Sequence, residues 1–415
     1  MATKKPQQQS AHEKKDKSKP VSPWTTLIVI AIVLVLITIL TLAFPRLHTT
    51  GTKIVVSTDA NASAQVKDII AQKAQKYPRA TELVSPDYYH NLPDNQTNIT
   101  IQSLVGKKVI LVDFWTYSCI NCQRTIPYLN DWYAKYASQG LEIIGVHTPE
   151  FDFEHDQTNV KNAIKQYGIK YPVVQDNEYQ TWNAYGNLYW PHEYLIDIDG
   201  FVVEEHIGEG GYNDTEIEIQ KLLAERAQRL NDTSASEQLQ SASNNLTQIQ
   251  ENISFPQIGT QEIYAGYQFD RGQFGNAEGH VPGATINYSL PLVRQPNIFY
   301  LSGEWRNDPQ AMVAEGDGAT SPTDSSAKNN TTNATIARAA ITLTYTAKQI
   351  NIVAGLDAGI TAPQTVQLTL DGEPIPSINV SGQGLYTLMD ASDYATHTIQ
   401  ITAPKGLQFY TFTFG

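Results

Sequence analysis

Val109-Ile110-Leu111-Val112-Asp113-Phe114-Trp115 runs directly into Thr116-Tyr117-Ser118-Cys119-Ile120-Asn121-Cys122, and Cys119 and Cys122 are the only cysteines in 415 residues. The apolar, β-branched run reads as a buried strand, and the cysteine pair opens a helix. The reactive form of cysteine is the thiolate, and a helix N-terminus stabilises negative charge. The first sulfur is therefore placed to attack. The second, three residues on, can reach back and resolve a mixed disulfide. Two other readings compete. Zinc normally takes four ligands, and no second cysteine pair or His-x(3–5)-His follows. A purely structural disulfide at this spacing closes almost no loop and stabilises little. A dithiol/disulfide redox centre is favoured over both.

The run Val-Asp-Phe-Trp ahead of the Cys-x-x-Cys resembles thioredoxin, and residues 101–230 resemble the thioredoxin-like domain of the TlpA/ResA and DipZ group. DipZ-type sequences are matched most fully by Phe114-Trp115-Thr116-Tyr117-Ser118-Cys119-Ile120-Asn121-Cys122-Gln123-Arg124-Thr125-Ile126-Pro127. They are matched again at Ile144-Gly145-Val146-His147-Thr148-Pro149-Glu150-Phe151, at Tyr189-Trp190-Pro191 with Tyr194-Leu195-Ile196-Asp197, and at His206-Ile207-Gly208-Glu209-Gly210. The resemblance implies an α/β thioredoxin fold, a central mixed sheet flanked by helices. Asp113, six residues before Cys119, stands where thioredoxins keep a buried acid. Desolvated there, it is expected to take the proton of the resolving thiol Cys122. Without the resemblance it is an ordinary strand-end aspartate. Pro191 stands where the fold carries a cis-proline facing the dithiol, and Trp190-Pro191 is the implied substrate wall. Trp115 and Tyr117 are expected to share the substrate contacts. Glu150 is a candidate second acid, with a solvated loop glutamate as the competing reading. His147, His155, His192 and His206 show no metal-ligand spacing.

Residues 27–44 carry no charge and are nearly all apolar, and with residues 24–26 they are long enough to cross a bilayer as a helix. The tail before them holds six lysines against two acids, so the positive-inside rule puts the N-terminus in the cytoplasm and the rest outside. Leu42-Ala43-Phe44-Pro45 is a poor cleavage site, which favours an uncleaved anchor over a signal peptide. The dithiol then faces an extracytoplasmic compartment, where disulfide chemistry is expected. The formal net charge is −13, and the tail accounts for +4, so the exported part carries −17. That argues against nucleic acid or an anionic membrane surface as a partner.

The expected organisation is a basic tail (1–23), a transmembrane helix (24–44), and a stalk and N-terminal extension (45–98) with one short helix near 64–76. A thioredoxin-like domain (99–231) follows, then a polar linker (232–255) in which Leu239, Leu246 and Ile249 could support a short helix. The last region (256–415) is an all-β sandwich. There, apolar-alternating runs at 340–345, 366–370, 385–389, 397–401 and 408–414 recur with turn signals such as Asp371-Gly372. This region also resembles DipZ, through Thr260-Gln261-Glu262-Ile263-Tyr264-Ala265-Gly266, Leu301-Ser302-Gly303-Glu304-Trp305 and Phe412-Thr413-Phe414-Gly415. In that family it is a jelly roll similar to carbohydrate-binding modules. Trp305, Tyr264 and Tyr267 are candidates to stack on a sugar ring, or else core residues. A mobile loop is expected at 315–334.

These readings converge on a membrane-anchored, extracytoplasmic thiol–disulfide oxidoreductase. Cys119 is the nucleophile, Cys122 the resolving thiol, Asp113 the proton carrier and Pro191 the groove wall. The redox couple itself serves as cofactor, with no metal or organic group. DipZ proteins carry a multi-helix membrane domain related to CcdA, and here a single span replaces it, so a separate CcdA-like membrane electron donor is an expected partner. Cytochrome c maturation or disulfide quality control is the expected role, on protein substrates with thiols or disulfides, with reduction and oxidation of those substrates both open from the sequence. The alternative is a cell-surface module binding glycan or protein, with the thioredoxin domain secondary.

Overall fold

The computed structural model describes residues 64–242, 246–249, 253–316 and 338–415. The expected tail, the transmembrane segment and nearly all of the 315–334 loop lie outside them. No described helix is long and apolar enough to cross a membrane.

The chain first forms helix α1 (Ala64–Lys76), strand β1 (Tyr88–His90) and the single turn α2 (Ile101–Leu104). Then follow β2 (Val109–Trp115), α3 (Ile120–Tyr136), β3 (Leu141–His147), α4 (Gln157–Gln166) and β4 (Val173–Gln175). The unit ends with α5 (Gln180–Tyr185), β5 (His192–Ile196), β6 (Val202–Ile207) and α6 (Tyr212–Leu230). The six strands form one mixed sheet in the order β1-β4-β3-β2-β5-β6. Strands β2, β3 and β4 are parallel, and β5 runs antiparallel to both β2 and β6. This is the thioredoxin-like arrangement. All seven residues of β2 are buried, as a strand covered on both faces requires. Its odd-numbered Val109, Leu111 and Trp115 share a core with Ile126, Leu129 and Trp132 of α3 and Leu222 of α6. Its even-numbered Ile110, Val112 and Phe114 pack in a second core with Ala80, Ile101 and Trp182.

Over its described part, the stalk is docked on the sheet. Lys73 reaches Asp197 at 2.7 Å and Asp199 at 3.0 Å beside the β5–β6 turn. The Ala80 N–H bonds the Gly200 carbonyl at 3.0 Å, and Arg79 lies over the Phe201 ring. The linker is docked as well. It forms helix α7 (Thr233–Ala242), whose Leu239 enters the thioredoxin core, and the Thr247 N–H donates to the Glu216 carboxylate at 2.7 Å.

The C-terminal region is all β: β7 (Ile263–Tyr264), β8 (Thr285–Tyr288), β9 (Phe299–Asn307), β10 (Met312–Ala314), β11 (Ala340–Leu356), β12 (Gln364–Leu370), β13 (Glu373–Val380), β14 (Gly384–Thr402) and β15 (Leu407–Phe414). The runs at 385–389 and 397–401 belong to one long strand, β14, which pairs with β11 across an irregularity at 390–395. Asp371 and Gly372 both take left-handed backbone angles, φ 53° and 90°, as a tight hairpin between β12 and β13 demands. Strand β11 pairs with β15 and β9, and β10 joins those two, so four strands close a ring around Phe299, Trp305, Phe409 and Phe412. Trp305 is wholly enclosed, its indole N–H donating to the Ser302 carbonyl at 2.9 Å, and Tyr264 is buried too. Neither can stack on a sugar, and both take the core role that was the competing reading. Tyr267 remains partly exposed.

The described residues fall in one compact unit, and the two sheets meet at the loop after β3. Phe151 is completely buried among Tyr264, Ala311, Val353 and Tyr410 of the β region, with ring centroids 5.1 Å from Tyr410. Gln310 and Asp152 exchange two hydrogen bonds of 2.9 Å across the same seam. Phe151→Ala should therefore cost about 3–5 kcal/mol in urea unfolding, the range for a buried aromatic truncation. It should also open the seam to limited proteolysis. A change within about 0.5 kcal/mol, the size of an ordinary surface substitution, would mean the halves do not depend on this contact.

Candidate active site

Helix α3 starts at the cysteine pair because Cys119 supplies its N-cap. The backbone of Cys119 is extended (φ −74°, ψ 118°), and its sulfur accepts the N–H of Cys122 at 3.3 Å. Free N–H groups at the helix start stabilise charge on this sulfur. Both cysteines are thiols here, Cys119 half-buried and Cys122 buried. The exposed sulfur can meet a substrate and the enclosed one cannot. Burial, together with the neighbouring Cys119 sulfur, pushes the Cys122 thiol well up, so it keeps its proton until a base removes it.

The nearest candidate base is Asp113. The period of β2 turns its side chain to the α3 face, and its charge acts on the Cys122 thiol. The carboxyl is 1% exposed, and one oxygen has no hydrogen-bond partner. Burial alone raises it to about 7, so it exchanges a proton near neutrality.

The Trp190–Pro191 peptide is cis. The Cys119 thiol points at the Trp190 carbonyl, 4.0 Å away. Trp190 is held by its indole N–H to the Thr148 carbonyl at 3.1 Å and by Trp182, 4.2 Å between centroids. Just before it, Leu188 and Tyr189 are exposed (72% and 49%), giving the dithiol an apolar rim. On the other side of Ile120 a cleft of about 350 Å³ runs between α3 and the β region, with Arg124, Glu209, Lys348 and Gln349 in its walls.

Two expected substrate contacts and the candidate second acid fall elsewhere. Trp115 is completely buried and packs edge-on to His147. Tyr117 is 5% exposed, stacked on His147 at 5.7 Å, with its hydroxyl enclosed. Both are core residues, because the sheet and the loop after β3 close over them. Glu150 does not join Cys122. It accepts the Tyr264 hydroxyl at 2.5 Å, in a seam shared with Glu262. Burial and the charges of Glu262 and Glu154 push its carboxyl well up. His147 is fully buried, and burial lowers it to about 3, so it is a neutral core histidine.

Two acids were not singled out from the sequence. Glu154 is 0% exposed, and its carboxylate takes four hydrogen bonds. These come from the Ser118 hydroxyl (2.6 Å) and N–H (3.2 Å) and from the N–H groups of Glu150 (2.6 Å) and Phe151 (3.0 Å). It thus ties the residue before Cys119 to the loop gripped by the β region. Glu193 faces Asp113 across the β2–β5 ladder, 2% exposed, with neither carboxyl oxygen partnered. A charged residue in a strand otherwise full of buried side chains was the available signal, but its meaning needs the strand register.

Residues 85–205 match the AhpC/TSA family, and residues 325–415 match the family described as thioredoxin-like C-terminal domain. Protein DipZ of Mycobacterium bovis is 36% identical over 326 residues, which cover 78% of this chain and 41% of DipZ. The chain thus spans well under half the length of that relative. Thiol-disulfide oxidoreductase ResA of Bacillus thuringiensis is 39% identical over 121 residues, 27% of this chain and 67% of ResA. Among solved structures, a thiol:disulfide interchange protein of the thioredoxin family from Chlorobium tepidum aligns at 25% identity and a TM-score of 0.28, over 35% of this chain and 98% of that one. With its dithiol at the start of α3 and its match over two thirds of ResA, the chain belongs to the thioredoxin-like thiol–disulfide oxidoreductases of the ResA type.

Proposed function

We propose that this protein is held in a membrane by its N-terminal apolar segment and reduces disulfides of exported proteins with the Cys119–Cys122 dithiol. The observation that carries the reading is the asymmetry of the pair: a half-buried sulfur capping a helix, and an enclosed one beside a buried acid. Cys119 thiolate attacks a substrate sulfur, forming a mixed disulfide and expelling the first substrate thiolate. Asp113 takes the proton of Cys122. The Cys122 thiolate then attacks Cys119 Sγ, closing the protein disulfide and releasing the second substrate thiolate. Two electrons pass from the cysteine pair to the substrate, the two released thiolates regain protons from water, and Asp113 gives up the proton it took. No metal or organic cofactor takes part in this scheme.

The substrate lies along Trp190-Pro191, with Leu188 and Tyr189 as its apolar rim. The oxidised pair is recharged by a CcdA-like membrane donor, and cytochrome c apoproteins are the leading substrate class. The C-terminal jelly roll steadies the loop behind the dithiol. A glycan-binding module is the less favoured reading, since its two best platforms are buried.

Equilibration of the full chain with glutathione or dithiothreitol mixtures tests the direction. A potential near about −250 mV or below is expected, close to thioredoxin at about −270 mV. A value near about −120 mV, that of a strong oxidant such as DsbA, would overturn the reductant assignment.

A further inference from the structure

The thioredoxin sheet carries a row of ionisable groups that the scheme above does not use. In the strand register, Gly145 of β3 stands opposite Asp113 of β2, Asp113 opposite Glu193 of β5, and Glu193 opposite His206 of β6. Residues directly opposite in a sheet point to the same face, and in antiparallel pairs their Cβ atoms lie about 4.5–5.5 Å apart. The row therefore runs on one face, beneath α3 and α6, from the centre of the sheet to its edge. Next to Cys122 it begins with Asp113. At the edge it ends with His206, a partly exposed residue whose ring lies against the Gly211 turn at the start of α6.

The members are short of partners. One oxygen of Asp113, both oxygens of Glu193 and Nε2 of His206 are buried without a hydrogen-bond partner. Leaving a buried carboxyl unpaired costs free energy, so such a group is usually retained for a task. An apolar side chain would serve packing better at position 193, between His192 and Tyr194 in a strand whose five residues are all buried.

We propose that Glu193 and His206 form a lateral proton exit, carrying the proton that Asp113 takes from Cys122 along the sheet to solvent at β6. Neither residue touches a sulfur, and both act through Asp113, so the inference rests on the role given to Asp113 above. A protonated carboxyl accepts a proton on one oxygen and releases the one it holds from the other. Asp113 is thus returned to its ionised form, Glu193 ends unchanged, and His206 passes the proton to water. The exit is needed because an entering substrate covers the mouth of the site at Cys119 and Trp190 while Cys122 must still lose its proton.

Other groups face the row. Cys122 lies above Asp113 on α3. Tyr171 lies near enough for its hydroxyl to feel the charges of Asp113, Glu193 and Cys122. Tyr212 of α6 feels Glu193, and Glu204 of β6 lies on the same face, where it accepts the Thr215 hydroxyl at 3.1 Å. His192 feels the charge of His206. Burial and the adjacent Asp113 push the Glu193 carboxyl well up, in the direction of the protonated form a relay member needs.

The test is a single-turnover reaction of the reduced full chain with a disulfide peptide, quenched with acid to count mixed disulfide and released product. Glu193→Gln keeps the shape and removes the exchangeable proton. It should slow resolution at least tenfold, the low side of what general acid–base groups contribute, while iodoacetamide alkylates Cys119 at the wild-type rate. His206→Gln should slow the same step, and added imidazole should restore it, a rescue that a packing defect would not show. Asp113→Asn is run beside them. If Asp113→Asn is slow but His206→Gln resolves at the wild-type rate, or is slow without rescue, the exit is wrong and Asp113 keeps its role. If Asp113→Asn itself resolves normally, the reading beneath fails. Should Glu193→Gln not fold, the His206→Gln rate and its rescue decide alone.

Discussion

Cys122→Ser will turn the protein from a catalyst into a trap. Cys119 keeps its helix-cap position and its exposure, so it still attacks a disulfide substrate. No second thiol is then within reach, because these are the only two cysteines in the chain. The mixed disulfide should accumulate to one substrate per protein and survive a non-reducing gel, with release now dependent on added thiol. Cys119→Ser should lose turnover by at least about 10⁴-fold, the scale of removing an enzyme's nucleophile. The enclosed Cys122 cannot replace it, being buried and held as the thiol. The two variants thus give opposite products from the same reagents, adduct in one and nothing in the other. Equal adduct in both, or an adduct formed only in Cys119→Ser, would reverse the assignment of attacking and resolving sulfurs.

The centre of this site was legible in the sequence because its parts are local. A buried run, a cysteine pair and a helix start occupy consecutive residues, and Asp113 is placed by counting back along one strand. What was not legible depends on which strands lie side by side. Trp115 was expected at the substrate surface, but β3 and the loop after it cover the strand end, so its ring packs on His147 instead. Glu150 was expected near the thiols, but its partner Tyr264 lies more than 100 residues away, in the β region. Glu193 gains its meaning only from the β2–β5 register. A linker composition likewise hid the docking of α7, because one buried leucine, Leu239, was enough to hold a polar helix on the core.

Asp113→Asn should make the protein both slower and more stable, and the two effects should follow pH in a defined way. The carboxyl ionises near its ordinary 3.8 in the unfolded chain and near about 7 in the folded protein. Between those values the native state holds a proton that the unfolded state has lost. Stability therefore falls as pH rises from about 4 to about 7 and stays depressed above that. The rise from 3.8 to about 7 corresponds to about 4 kcal/mol, absent at pH 3 and fully present at pH 8. Asparagine carries no such charge, so the variant should gain on the wild type by about that much between pH 3 and pH 8 in urea unfolding. Whatever the amide costs in packing is common to both ends and cancels. Resolution of the mixed disulfide should move the other way. In the wild type its rate rises through about pH 7 as Asp113 ionises and becomes able to accept the Cys122 proton. In the variant that rise should vanish, and the rate at pH 7.5 should drop about 100-fold, the low end for removal of a general base. A variant that is stabilised at high pH yet resolves at the wild-type rate would show Asp113 to be a buried charge without a catalytic part. If it is slow but not stabilised, the carboxyl must ionise near its ordinary 3.8 in the folded protein as well, and burial would not be raising it.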